Sequence, residues 1–158
     1  MRVELSLFAD YSQFYLQDEA ADGNLGDSWD DDATARNLAI APGTVGVGTF
    51  RNVDVPVAVE VLSAAPPPDY AAFDLVTEAC MDVPSGRIVV AGCTDYFPEA
   101  RRIEVPPGRY RVRVYSSGYA TISGDGLEGQ DHYLVRLWRD DVVVRPTVLH
   151  DVRPAPVK

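Results

Sequence analysis

An alternation of period two runs through most of this sequence and leaves little room for anything but strands. In Arg109-Tyr110-Arg111-Val112-Arg113-Val114-Tyr115 the arginines share one face of an extended chain, and Tyr110, Val112 and Val114 share the other, because successive strand side chains point to opposite sides. Such a segment buries one face and wets the other, the habit of antiparallel sheets. Residues 3–7, 14–16, 38–41, 44–50, 55–62, 73–83, 87–91, 103–105, 132–138 and 142–144 read as further strands, the last set off by Asp140-Asp141. Pro42-Gly43, Pro84-Ser85-Gly86 and Val105-Pro106-Pro107-Gly108 each predict a hairpin turn, with Pro fixing φ and Gly accepting a positive φ. Pro56 predicts an edge or bulge position for its strand. One short helical turn is expected over residues 30–36, with Asp30 as N-cap and acids in its first turn. The fold class that follows is all-β: an antiparallel β-sandwich of about eight to ten short strands with one short helical turn. A single sandwich domain is expected over residues 1–152, and a disordered tail over 153–158.

Charge narrows the choice of partners. The 158 residues carry 24 acidic and 14 basic side chains, for a net charge of −10. Residues 1–86 hold 15 acidic against 3 basic, whereas residues 87–158 hold 9 against 11. Between Arg2 and Arg36 nine carboxylates occur without one basic residue: Glu4, Asp10, Asp18, Glu19, Asp22, Asp27, Asp30, Asp31 and Asp32. Such a surface repels DNA, RNA and anionic lipid and attracts a basic protein. An acidic loop that merely keeps the protein soluble has the same composition. No apolar run approaches the roughly 20 residues that span a bilayer. Glu4 and Asp10 interrupt the start too early for a secretory leader, so a cytoplasmic protein without membrane contact is expected.

Catalytic patterns are thin, and a non-enzymatic role is expected. His132 and His150 are the two histidines. His132 follows Asp131 directly, and neighbours on a strand face opposite ways, so that adjacency is no triad. Ser116-Ser117-Gly118 lacks the leading glycine of a nucleophile elbow. Gly43-Thr44-Val45-Gly46-Val47-Gly48 has no Lys-Ser/Thr ending and opens a strand, so it is no phosphate loop; its small residues predict close approach of another segment. The oxygen-rich run from Asp22 to Asp32 attracts cations weakly but misses the EF-hand spacing. No metal site and no cofactor are expected. Cys80 and Cys93 read as two buried free thiols in a reducing compartment.

Trp29, flanked by Ser28 and Asp30-Asp31-Asp32, carries two readings. Folded inward, it pins the acidic loop to the sandwich. Facing outward, it combines a large aromatic anchor with steering charge, the pairing common at protein–protein hot spots. The candidate partner-binding residues are accordingly Asp22, Asp27, Trp29, Asp30, Asp31 and Asp32. An alternative is a carbohydrate or small-ligand module using Tyr11, Tyr15 and Tyr119 on one sheet or its loops.

The order Tyr11-Ser12-Gln13-Phe14-Tyr15-Leu16, Asp27-Ser28-Trp29-Asp30-Asp31-Asp32-Ala33 and Gly43-Thr44-Val45-Gly46-Val47-Gly48-Thr49 resembles the front half of ComJ-type competence proteins. Residues 102–110 followed by Tyr133-Leu134-Val135-Arg136-Leu137-Trp138 are similar in kind to the back half. The resemblance implies a small acidic, immunity-like protein that inhibits a partner nuclease. It assigns no inhibitory residue.

Overall fold

The computed structural model describes residues 1–154, and among them eleven strands form two sheets. One sheet runs β1 (Arg2–Phe8), β5 (Asp54–Leu62), β10 (His132–Arg139), β9 (Gly108–Ser117), β6 (Leu75–Val83), β11 (Thr147–Asp151). The other runs β3 (Leu38–Ala41), β4 (Thr44–Gly48), β2 (Gln13–Asp18), β7 (Arg87–Gly92), β8 (Arg101–Glu104). The fold is all-β, with one helix, α1 (Asp31–Arg36). Every paired strand runs antiparallel to its neighbour except β5 and β10, which are parallel.

The core forms where the apolar faces of the two sheets meet. Phe14, Leu16, Val45, Val47, Ile88 and Val90 come from the five-stranded sheet; Val57, Val59, Val112, Val135 and Leu137 come from the six-stranded one. Tyr110, Val112 and Val114 all point into this core, as the alternation predicts. The arginines between them turn outward, where Arg111 and Arg113 meet Glu78 at 2.6 and 2.7 Å. Trp138 is buried on that outer face, with the Arg113 guanidinium 4.9 Å from its ring centre.

Of the three expected hairpins, only the Pro42-Gly43 turn joins paired strands, with Ala41 opposite Thr44 and Gly43 at φ 65°. The other two turns carry the chain from one sheet to the other. Pro84-Ser85-Gly86 leads from β6 to β7, and Val105-Pro106-Pro107 leads from β8 to β9. The two arches lie side by side, and Val105 N–H donates to Gly86 O at 2.9 Å. Pro106 and Pro107 have no N–H with which to continue a ladder; the Tyr110 hydroxyl donates back to Pro106 O at 2.5 Å.

Three smaller expectations also change. Pro56 lies in β5, an interior strand, but one residue ahead of the point where β10 begins to pair with it, so its missing N–H breaks no rung there. Val142 and Val143 are exposed and form no strand; the strand comes later, at β11, which pairs with β6. Cys80 is half-buried and Cys93 exposed; both are free. Of the tail expected to be disordered, residues 155–158 lie outside the described residues, and Arg153 donates to Ala35 O at 2.7 Å and to Asp151 at 2.9 Å.

Candidate partner-binding face

The acidic segment leaves the five-stranded sheet at Asp18, the last residue of β2. The Asp18 carboxylate is 1% exposed and accepts from Ser85 N–H (3.1 Å), Ser85 Oγ–H (2.6 Å) and Ala20 N–H (3.2 Å). One of the nine N-terminal carboxylates therefore serves as an internal anchor that turns the chain out of the sheet. The loop then folds back over the outer face of β2 and β4. Leu25 and Trp29 cover Gly46, where a Cβ would meet Leu25 Cδ1 at 2.8 Å and Trp29 Cζ2 at 3.0 Å. At Gly46 the expected close approach is made by the acidic loop itself, and at Gly48 by Asn37. The Trp29 indole N–H donates to Gln13 Oε1 at 2.8 Å, and Trp29, like Tyr15, packs against the buried cluster of Leu25, Ala33 and Ala39. Trp29 thus pins the loop to the sandwich.

The helix follows at once. The Asp30 carboxylate accepts from Ala33 N–H at 2.8 Å as N-cap, and Asn37 closes α1 in the left-handed conformation with φ 55°. Asp31 and Asp32 sit in the first turn, where the helix dipole favours negative charge.

Asp22, Asp27, Asp30, Asp31 and Asp32 are all exposed, and none forms an ion pair among the described residues. The carboxylates that do pair lie elsewhere: Glu4 with Arg2, Glu19 with Arg87 and Arg102, Glu60 with Arg2 and Arg136, Glu78 with Arg111 and Arg113, Asp82 with Arg109, Asp131 with Arg51, Asp140 with Arg111, and Asp151 with Arg153. The arginines of the C-terminal half are largely occupied by these contacts, so the N-terminal aspartates keep their charge facing water.

Beside this loop the sheet surface opens into a groove of about 620 Å³. Tyr15 stands on its floor between Gly46 and Ala91, its cross-strand partners on β4 and β7. Small residues on both sides of a tyrosine leave a furrow along it. Trp29 and Leu25 form one wall, Cys93 and Phe97 lie across it, and Tyr11 and Asp22 stand at the rim. Tyr11 is 73% exposed and, with Ser12, adopts a positive φ (59° and 55°) rare for residues other than glycine. Three contacts hold this conformation: Asp10 Oδ1 accepts Tyr11 N–H, Ala9 O accepts Ser12 N–H, and Ser12 O accepts Thr49 N–H.

Charge around the groove shows in its titrating groups. Burial and then the Asp10 and Asp95 carboxylates push the Cys93 thiol above its usual value. Burial also raises the Tyr15 phenol, reinforced by Cys93 and Asp95 and opposed by Arg102. A thiolate or phenolate charge is disfavoured there first by burial and then by the nearby carboxylates. Arg102 is the counterweight, with its guanidinium 5.0 Å from the Phe97 ring centre.

Of the aromatics named from sequence for a ligand module, Tyr11 and Tyr15 share the groove, while Tyr119 packs edge-on against Phe50 at 5.0 Å, outside it. The sequence marks Cys93 only as a buried thiol and does not mark Phe97; the register that sets Ala91 opposite Tyr15 brings both near. His132 meets Ser117 Oγ at 2.7 Å through Nε2, and His150 meets Phe73 O at 3.0 Å. Neither ring hydrogen-bonds a carboxylate among the described residues. No group of three metal-binding side chains gathers among them either. No helix among them is long and apolar enough to cross a membrane.

No family model and no curated protein sequence matches the chain. Two solved structures do share its architecture. ComJ from Bacillus subtilis, inhibitor of the DNA-degrading activity of NucA, superposes with a TM-score of 0.62 at 18% identity, over 89% of this chain and 96% of ComJ. The protein described as crocagin biosynthetic gene J superposes with a TM-score of 0.60 at 24% identity, over 89% of this chain and 97% of its own. The expected resemblance holds at the level of the backbone: this chain has a ComJ-like fold.

Proposed function

We propose that residues 1–152 act as one non-catalytic cytoplasmic domain that binds a basic partner protein, a nuclease, and inhibits it. The observation that carries this reading is the row of exposed, unpaired aspartates at 22, 27, 30, 31 and 32, held on a loop that Trp29 and Asp18 fix to the sheet. A nuclease must offer its substrate a cationic surface, and a rigid row of carboxylates competes for that surface without being cleaved. Rigidity matters because a loop already ordered loses little entropy on docking. The shared fold with a nuclease inhibitor supports the reading.

Cell extract of the source organism passed over the immobilised protein at low salt is expected to retain a DNA-degrading activity. That activity is expected to elute as salt rises and to be suppressed when free protein is added back. The triple variant Asp30→Asn, Asp31→Asn, Asp32→Asn keeps a capping oxygen at position 30 and is expected to inhibit at least about ten-fold more weakly. Undiminished inhibition by that variant would refute the assignment of the face.

A further inference from the structure

Beside the aspartate row, the groove over Tyr15 has features the row does not explain. Tyr15, Trp29, Leu25 and Phe97 give it aromatic and aliphatic surface, interrupted by the amides of Gln13 and Gln17. The one hydrogen-bond donor of the Trp29 ring is spent on Gln13, so Trp29 offers the groove a π surface. Apart from Arg102, which stacks on Phe97, the formal charges around this lining are carboxylates at its margin. Asp22 lines the rim, Asp10 Oδ1 accepts from Tyr11 N–H at 3.0 Å, and Asp95 Oδ2 accepts from Gly92 N–H at 2.8 Å, next to Cys93. None of these three is in an ion pair among the described residues. Arg102 stacks on Phe97 and is itself shared with Glu19 at 3.7 Å, so it leaves Trp29, Tyr15 and Tyr11 uncapped.

Flat aromatic walls with carboxylates at the lip suit a planar cation. A purely apolar side chain would bury the rings but leave the rim charges without partners, and an anionic one is repelled. A guanidinium stacks on ring faces while its edge donates to carboxylates, and it sheds water more readily than an ammonium.

We infer that the groove bounded by Tyr11, Tyr15, Trp29, Cys93 and Asp22 is a receptor for an arginine side chain projecting from the partner protein. This rests on the proposed inhibitor reading and deepens it: the aspartate row steers, and the groove seats one side chain. The groove then supplies geometry where the row supplies only charge.

The test uses the intact protein, isotope-labelled for NMR, and three acetylated, amidated pentapeptides, Gly-Gly-X-Gly-Gly, with X arginine, lysine or citrulline. Citrulline keeps the shape of arginine without its charge. The arginine peptide is expected to shift the Trp29 indole N–H and the backbone signals of Tyr15 and Cys93. The lysine peptide is expected to shift them less, and the citrulline peptide not at all. Asp22→Asn and Tyr11→Gly are each expected to weaken the arginine peptide about five-fold. Shifts confined to Asp27, Asp30, Asp31 and Asp32 would overturn the groove assignment and leave the inhibitor reading standing. Equal shifts from lysine or citrulline, no shifts from any peptide, or full affinity in both variants would also overturn it. Groove shifts that persist while the intact protein neither retains nor suppresses a DNA-degrading activity would instead sink the inhibitor reading and spare the groove.

Discussion

At Tyr11 the chain holds an aromatic side chain out over the groove in a conformation that costs a non-glycine residue about 1 kcal/mol or more. Glycine relieves that strain but loses more freedom on folding, by about 0.5–1 kcal/mol. Tyr11→Gly is therefore expected to leave stability within about 1 kcal/mol of the parent in urea unfolding while weakening partner binding. A second residue-scale device lies close by, in the segment whose Thr49 N–H donates to Ser12 O. Asp131, 0% exposed, accepts from the Arg51 guanidinium at 2.5 Å and from the Tyr133 hydroxyl at 2.6 Å, and that hydroxyl accepts from Phe50 N–H at 2.7 Å. Arg51 also donates to Leu127 O at 3.0 Å, which ties the long loop before β10 to the sandwich. Removing the hydroxyl in Tyr133→Phe leaves both a buried carboxylate oxygen and a backbone N–H without that partner. The expected loss at neutral pH is about 1–3 kcal/mol, read by urea unfolding. Burial and then Asp131 raise the Tyr133 phenol far above its ordinary value of 10.0. Above pH 10 the unfolded chain therefore releases a proton that the folded chain keeps, and stability falls as pH rises, by up to about 1.4 kcal/mol per unit from this residue. The Phe variant is expected to show a shallower alkaline decline, and an unchanged slope would remove Tyr133 from the account.

Elements differ in how far the sequence alone makes them readable. Strand after strand shows in the alternation, and α1 shows in Asp30, its first-turn acids and its arginine at the end, because those signals act within a few residues. Sheet membership does not show. Pro84-Ser85-Gly86 and Val105-Pro106-Pro107-Gly108 have the chemistry of hairpin turns, yet both bridge the sheets. The residues on either side of an arch face the same core as those flanking a hairpin, so alternation is blind to the difference. The groove was half-legible for the same reason. Tyr11, Tyr15 and Trp29 stand out as aromatics near the acidic run, but Cys93 and Phe97 arrive through the β2–β7 register. Gly46 is the element-level lesson: read from sequence as a place for close approach, it proves to be where Leu25 and Trp29 rest. Gly46→Ala would put a methyl group 2.8 Å from Leu25 Cδ1 on the outer face of β4, away from the core. The variant is expected to lose about 1–3 kcal/mol at most, to shift Trp29 fluorescence, and to open residues 19–29 to protease while the sheets stay folded. Native fluorescence and native protease resistance would contradict the role given to that contact.

For the whole molecule, net charge and charge placement act in opposite directions on two measurable quantities. The arginines facing Glu78 and Asp140 lie in partly buried pairs on the six-stranded sheet, where salt screens little. Part of the charge left over is gathered on the exposed aspartates from 22 to 32, where self-repulsion strains the folded state and salt screens strongly. Raising ionic strength from about 0.02 to 0.5 M shortens the screening length several-fold. It is therefore expected to raise the melting temperature of the free protein, by about 2–4 °C for each kcal/mol of repulsion removed. The same change weakens docking to a basic partner, because there the screened interaction is an attraction. Replacing Asp30, Asp31 and Asp32 with Asn is expected to flatten both dependences together, since one set of charges underlies both. A variant that flattens the melting-temperature curve but leaves the salt dependence of binding intact would show that the partner reads a different face. The reverse pattern would place the self-repulsion elsewhere on the surface. Only parallel loss of both slopes fits a molecule whose exposed N-terminal aspartates are at once its main internal repulsion and its means of recognition.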